Sequence, residues 1–254
     1  MTRVISVVSG KGGVGKTTLT SNLGVALSEL GEDVLLIDGN FSGANMSQHF
    51  GISFQDVSLN DVLQGEAYIT QAVAKHPTGV SILPASILDF HGNHEQLKHS
   101  IVDFLGTKDF VLIDAAAGTD EEVQAAIETG DEVLLVSEPE LPSLTNCLGA
   151  KKLAEEMEKE VLGVVLNSVR GEKTEVDEEE IRELLEEEVI DRVPDHRHVR
   201  EGIALREPVV SYKPSSKPAL KIKDVAHRLK GQEPPQRDLK TRLKSRMHEL
   251  SLLD

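Results

Sequence analysis

Short apolar runs alternate with stretches of helical spacing along most of the chain, and that alternation already limits the fold. Val4, Ile5, Val7 and Val8 form a β-branched run, and residues 34–37, 80–83, 110–113, 133–136 and 161–166 are similar. Runs of this length without polar alternation suit strands buried on both faces of a parallel sheet. Leu19, Leu23, Ala26, Leu27 and Leu30 recur at helical spacing before Gly31, and Leu97, Ile101, Val102 and Leu105 make another stripe. Short helical patterns occupy 58–73, with Ser58 or Asn60 as cap, and Pro142 opens a helix carrying Leu144, Cys147, Leu148 and Leu153. Residues 199–205 and 219–229 are two further helical patterns, separated by Pro208-Val209-Val210. Strands alternating with helices predict an α/β fold, a mostly parallel twisted sheet flanked by helices on both faces.

The densest chemistry lies between the first strand and the first helix, where residues 10–18 read Gly-Lys-Gly-Gly-Val-Gly-Lys-Thr-Thr. Gly10, four residues, Gly15, Lys16 and Thr17 match the phosphate loop of P-loop nucleoside triphosphatases. Backbone N–H groups of such a loop turn inward around polyphosphate oxygens at a positive helix N-terminus. Gly10, Lys11, Gly12, Gly13, Val14, Gly15, Lys16, Thr17 and Thr18 are therefore candidate ATP-binding residues. Lys16 is placed to bridge the β- and γ-phosphates and Thr17 to give its hydroxyl to magnesium. Asp38 and Asp114 each end an apolar run, which puts them beside the phosphates at the carboxyl edge of a parallel sheet, as candidate partners of Mg2+.

The second lysine of the loop, Lys11, makes the nonapeptide resemble the deviant Walker A loop of the MinD/ParA ATPases. The resemblance is closest to MinD, runs from residue 1 to about 230, and implies a P-loop ATPase using ATP and Mg2+. It further implies an ATP-dependent homodimer in which Lys11 reaches the nucleotide of the other subunit. Residues 38–46, Asp-Gly-Asn-Phe-Ser-Gly-Ala-Asn-Met, resemble the first switch of that family, and Asn40 stands where an aspartate is common. The aspartate is thought to position the attacking water, and an amide cannot take up a proton, so Lys11, Lys16 and Asn40 are the candidate catalytic set with slow turnover expected. Residues 115–118, Ala-Ala-Ala-Gly, resemble the second switch, with Gly118 as a candidate hinge. By the same resemblance Asn167 bonds the adenine, and Pro194 and Asp195 belong to the loop that closes over it.

Composition narrows the partners. A formal net charge of −16 opposes non-specific attraction to nucleic acid, so a DNA-coating role is not expected. No apolar run approaches a membrane span and no signal-peptide core follows the N-terminus, which predicts a cytoplasmic protein; the single cysteine, Cys147, fits a buried position in a reducing setting. That lone thiol also argues against carriage of a bridging iron–sulfur cluster. His91, His94 and His99 cluster without an acid or cysteine to complete a metal set, and residues 172–188 read as an acidic helix with one buried edge.

Residues 1–231 form the expected ATPase domain, and 232–254 a linker and basic amphipathic helix. Leu239, Leu243, Met247 and Leu250 fall on one face of that helix among Arg237, Lys240, Arg242, Lys244 and Arg246. It is similar in place and kind to the membrane-targeting helix that ends MinD proteins. An anionic membrane surface on the inner face of the cell membrane and an unidentified protein partner are both candidate contacts, with docking on its own domain as the alternative. Two functions follow: an ATP-hydrolysing switch that positions partners, or a nucleotide-gated adaptor that binds ATP and scarcely hydrolyses it.

Overall fold

The computed structural model describes residues 1–41, 43–52, 56–86 and 96–236. Their strands are β1 (Arg3–Ser9), β2 (Val34–Gly39), β3 (Ala74–Lys75), β4 (Ser81–Leu83), β5 (Phe110–Ala117), β6 (Glu132–Ser137), β7 (Glu160–Val169) and β8 (Val189–Pro194). They form one sheet in the order β3-β4-β2-β5-β1-β6-β7-β8, parallel throughout except where β3 meets β4. The α/β sheet expected from the apolar runs is therefore the fold.

Each run divides its side chains between two cores because successive residues of a strand face opposite ways. Leu35, Ile37, Val111, Ile113, Val133 and Leu135 pack under the helices Glu121–Thr129, Leu141–Glu156 and Glu178–Leu185. Leu36, Leu112, Leu134 and Val136 pack on the other side against Lys16–Glu29 and Lys217–Leu229. Both faces are thus covered, which is why these strands carry no polar alternation. β1 lies mid-sheet between β5 and β6, with β2 beyond β5 and β7 beyond β6. The chain passes from β1 to β2 on one side and later from β5 to β6 on the other side of β1, and a ligand crevice forms beyond the carboxyl ends of strands at such a point.

Several elements differ from the pattern expected of them. The stripe at 97–105 becomes a helix Gln96–Ser100 continued as a 3₁₀ turn, Ile101–Phe104. Three residues per turn rotates the face, so Phe104 goes inward while Val102 and Leu105 are 56% and 47% exposed. The acidic helix is confined to Glu178–Leu185 because Asp177 caps it, accepting from the Glu180 N–H at 2.9 Å. Ser58, not Asn60, caps Leu59–Leu63: its N–H and Oγ both donate to Asp61 Oδ2, at 2.7 and 2.6 Å. Pro208-Val209-Val210 leads into a short helix, Val209–Tyr212, that buries both valines.

β8 escapes an apolar-run criterion because Asp191 and Arg192 interrupt it. Asp191 is nonetheless buried, held by Lys221 at 2.9 Å and by Arg228, so an edge strand is fastened to the helix Lys217–Leu229 by charge. Ionic and polar groups along an exposed edge also discourage pairing with another chain. Of the histidine cluster, His99 lies in the last turn of a short helix, while His91 and His94 lie outside the described residues, as do Leu239, Leu243, Met247 and Leu250. Among the described residues no group of three or more His, Cys, Asp or Glu could hold a metal, and no helix is long and apolar enough to cross a membrane. Cys147 is fully buried, and burial pushes its thiol up to about 12, so it is chemically quiet.

Gly163 gives this fold a sharp test. It sits in β7 at φ +124°, and an added Cβ would lie 2.5 Å from the carbonyl oxygen of Glu188, the residue before β8. Strain at φ and a backbone clash act together, so Gly163→Ala is expected to lower unfolding stability by about 1–3 kcal/mol in urea titration. A loss below about 0.5 kcal/mol would contradict the β7–β8 pairing described here.

Candidate nucleotide-binding site

The loop joining β1 to the helix Lys16–Glu29 is shaped by glycines at three places. Gly13 and Gly15 have φ of +86° and +82°, left-handed values that disfavour any side chain. Gly10 is required for a different reason: a Cβ there would fall 1.9 Å from the Asn146 carbonyl oxygen of the helix Leu141–Glu156. The Leu19 N–H then donates to Gly15 O at 2.8 Å, which starts the helix directly after the loop. Lys16 and Thr17 consequently occupy its first turn, where the helix end is positive.

Beneath the loop lies Asp114, fully buried on β5. Lys16 Nζ stands 2.9 Å from Asp114 Oδ1 and also donates to the Ala115 carbonyl. Thr17 Oγ1 donates to Asp114 Oδ2 at 2.5 Å. Asp38 stands in register with Asp114 on neighbouring β2 and is also fully buried. Its carboxylate accepts three backbone N–H bonds, from Asn40 at 3.2 Å and from Asn45 and Met46 at 3.0 Å each. Burial, reinforced by the charge of Asp114, still pushes the Asp38 carboxyl up to about 7. A divalent cation next to this pair would relieve that cost. Thr17, Asp38 and Asp114 fit magnesium in kind and number, because Mg2+ commonly takes one or two carboxylates and draws its other ligands from phosphate and water.

Residues Ser9 and Lys11 to Thr18 line a cavity of about 300 Å³ together with Asn40, Asn45, His49 and Ala117. The structure thus brings the phosphate loop, the first switch and the end of β5 to one place. β5 continues through Ala117, which pairs with Ser9, so three residues of the expected second-switch loop are strand. Gly118 follows at φ +101° and donates to Ser9 O at 3.1 Å, consistent with a turn that favours glycine. Lys11 lies 3.7 Å from Glu138 of its own chain and is 44% exposed, on the solvent side of the loop. Asn40 donates its amide to Gly43 O at 3.0 Å, turning the switch back on itself.

Asn167 does more than end a strand. β7 runs two residues past it, and its amide donates to Val14 O at 2.8 Å, bracing the phosphate loop from the side. Gly15 is bare partly for this reason, since a Cβ there would meet Asn167 Nδ2 at 2.2 Å. Pro194 and Asp195 are not in the phosphate cavity. They border a separate cleft of about 1070 Å³ along β8, with Asp195 paired to Arg200 at 2.6 Å and to Arg170 at 3.5 Å. Sequence reasoning missed His49 and Glu138 altogether. His49 closes the four-residue helix Met46–His49, a stretch too short to show a helical period in the sequence.

Comparison with known proteins agrees with this geometry. The pattern of the CobQ/CobB/MinD/ParA nucleotide binding domain matches residues 5–209. The structure of the cell division ATPase MinD of Pyrococcus furiosus is 35% identical, covers 91% of this chain and 99% of its own, and superposes with a TM-score of 0.87. MinD of Pyrococcus horikoshii complexed with Mg-ADP is 33% identical over 96% of this chain and 99% of its own, with a TM-score of 0.86. The MinC:MinD cell division complex of Aquifex aeolicus gives 30% identity over 93% of this chain and 99% of the matched chain, with a TM-score of 0.83. With its loop, buried carboxylates and sheet order all in place, the chain belongs to the CobQ/CobB/MinD/ParA family of nucleotide-binding domains.

Proposed function

We propose that this protein is a MinD-type molecular switch that binds ATP with magnesium, dimerises in that state and hydrolyses the nucleotide to reset. The observation that carries the reading is the convergence of Lys16 and Thr17, from the first turn after a glycine loop, on the buried Asp114. The Mg-ADP bound by the Pyrococcus horikoshii relative supports the choice of ligand. Backbone N–H groups of Gly12 to Thr18 cradle the phosphates, and Thr17, Asp38 and Asp114 hold the cation directly or through water. Lys16 swings from Asp114 onto the β- and γ-phosphates when they arrive. Asn167 and the Pro194–Asp195 turn attend the adenine, at the carboxyl ends of β7 and β8.

Lys11, half exposed beside the loop, is the residue that completes the second subunit's site in the dimer. A protein partner is supported by the MinC:MinD assembly of the Aquifex relative. Residues 1–231 make up the switch domain, and 232–254 the linker and helix that contact an anionic membrane or a partner. One weak amphipathic helix per chain gains from effective concentration when two are joined, so dimerisation controls attachment. One observation favours an adaptor with scarcely any turnover as the second reading: Asn40 is an amide, and it is bonded to its own loop.

Three outcomes test these assignments. Lys16→Ala removes a charged phosphate contact worth about 1.5–3 kcal/mol, so calorimetry should show Mg-ATP affinity falling at least about tenfold. Unchanged affinity would sink the phosphate-loop assignment. Asn40→Asp is expected to raise the steady-state ATPase rate, and an equal or lower rate would remove position 40 from the account of slow turnover. Sedimentation with anionic liposomes should require both ATP and residues 237–254; binding that survives deletion of the tail would rule out attachment through it.

A further inference from the structure

Two turns at the carboxyl edge of the sheet are fastened to each other by side chains that the reading above does not use. β7 ends at Val169 and β8 at Pro194; these two residues are paired in register, and the Asp195 N–H donates to Val169 O at 3.0 Å. Around this last backbone contact each side supplies one arginine and one carboxylate to the other. Arg170, the residue after β7, has Nε 3.5 Å from Asp195 Oδ2. Arg192, on β8, has Nη2 3.7 Å from Glu175 Oε2 in the loop that follows β7. The two ion pairs thus cross the same gap in opposite senses.

Both carboxylates are fully engaged. Asp195 Oδ1 accepts from Arg200 Nη1 at 2.6 Å, so its oxygens are divided between Arg170 and the helix Arg197–Leu205. Glu175 Oε1 accepts the Arg170 N–H at 2.6 Å and Oε2 the Gly171 N–H at 3.1 Å, which folds the loop back on itself; its side chain is 10% exposed. An ionised carboxylate only accepts, and guanidinium groups hold both oxygens of Asp195. Arg170, Arg192 and Asp195 all line the cleft along β8, outside the phosphate cavity.

We propose that Asp195 and Arg170, braced by Glu175 and Arg192, form a clasp that sets the spacing of the two turns flanking the adenine, with Asp195 as a positioning residue that does not touch the base. The inference rests on the nucleotide-switch reading, in which Asn167 and the Pro194–Asp195 turn attend the adenine, and it assigns the side chains that preorganise that end of the site. Ion pairs exposed to this degree are worth about 1.4- to fivefold each in an equilibrium constant, and Asp195 joins two of them. Without its charge the turns spend part of their time apart, and apparent affinity falls with the fraction that stays competent. A ligand without a base makes no use of that spacing.

The test measures by calorimetry the affinity of the full-length protein for Mg-ATP and for inorganic tripolyphosphate with magnesium, which carries no base. Wild type, Asp195→Asn, Arg170→Met and the double variant are compared. Each single variant should weaken Mg-ATP about three- to tenfold and leave tripolyphosphate within about twofold. The double variant should be no more than about twofold weaker than the worse single one, because both substitutions open the same link. Unchanged Mg-ATP affinity, or equal losses for both ligands, would overturn the clasp while leaving the nucleotide reading intact. So would losses that multiply in the double variant, the mark of an independent contact by Asp195. A wild type that does not bind Mg-ATP would overturn both.

Discussion

The structure depends most on one buried charge, the carboxylate of Asp114. A carboxylate out of water is costly unless its oxygens are satisfied, and here Lys16 and Thr17 satisfy them from the first turn of the adjoining helix. The requirement fixes the helix relative to the middle of the sheet and so fixes the loop before it. The same arrangement leaves the ammonium of Lys16 and the hydroxyl of Thr17 poised at the rim of a cavity. Structural and ligand-binding demands therefore fall on the same three side chains.

Asp38 extends that logic to the switch. With β2 and β5 in register, two carboxylates lie side by side, and Asp38 keeps its place by gathering three backbone N–H groups. Those donors belong to residues 40, 45 and 46, so the conformation of the segment is tied to the charge state around Asp38. Under the proposed function, arrival of a cation or phosphate would change that electrostatic balance at one spot, beside the segment bonded to it. Such a local electrostatic event coupled to a loop is the usual basis of nucleotide switches.

The parallel core was legible because both faces of the sheet are covered, leaving β-branched runs such as 34–37 and 110–113 unbroken. β8 was not, since Asp191 and Arg192 look like loop chemistry until Lys221 and Arg228 are seen to pair with the acid across 30 and 37 residues. The phosphate loop, Asp38 and Asp114 could be placed from spacing and strand ends alone. Asn167 was assigned to a base; what the fold shows is its amide holding Val14 of the loop, a contact 153 residues distant that no local pattern reports. His49 was missed because four residues of helix have no detectable period.

Backbone amide exchange followed by mass spectrometry addresses the central claim most directly, because that claim concerns backbone N–H groups closing on a triphosphate. With Mg-ATP, peptides spanning 10–18 and 38–46 should exchange more slowly than in the free protein, and protection should be lost when Lys16 is replaced by alanine. Unchanged exchange in both segments under saturating nucleotide, or protection confined to the cleft along β8, would contradict the account.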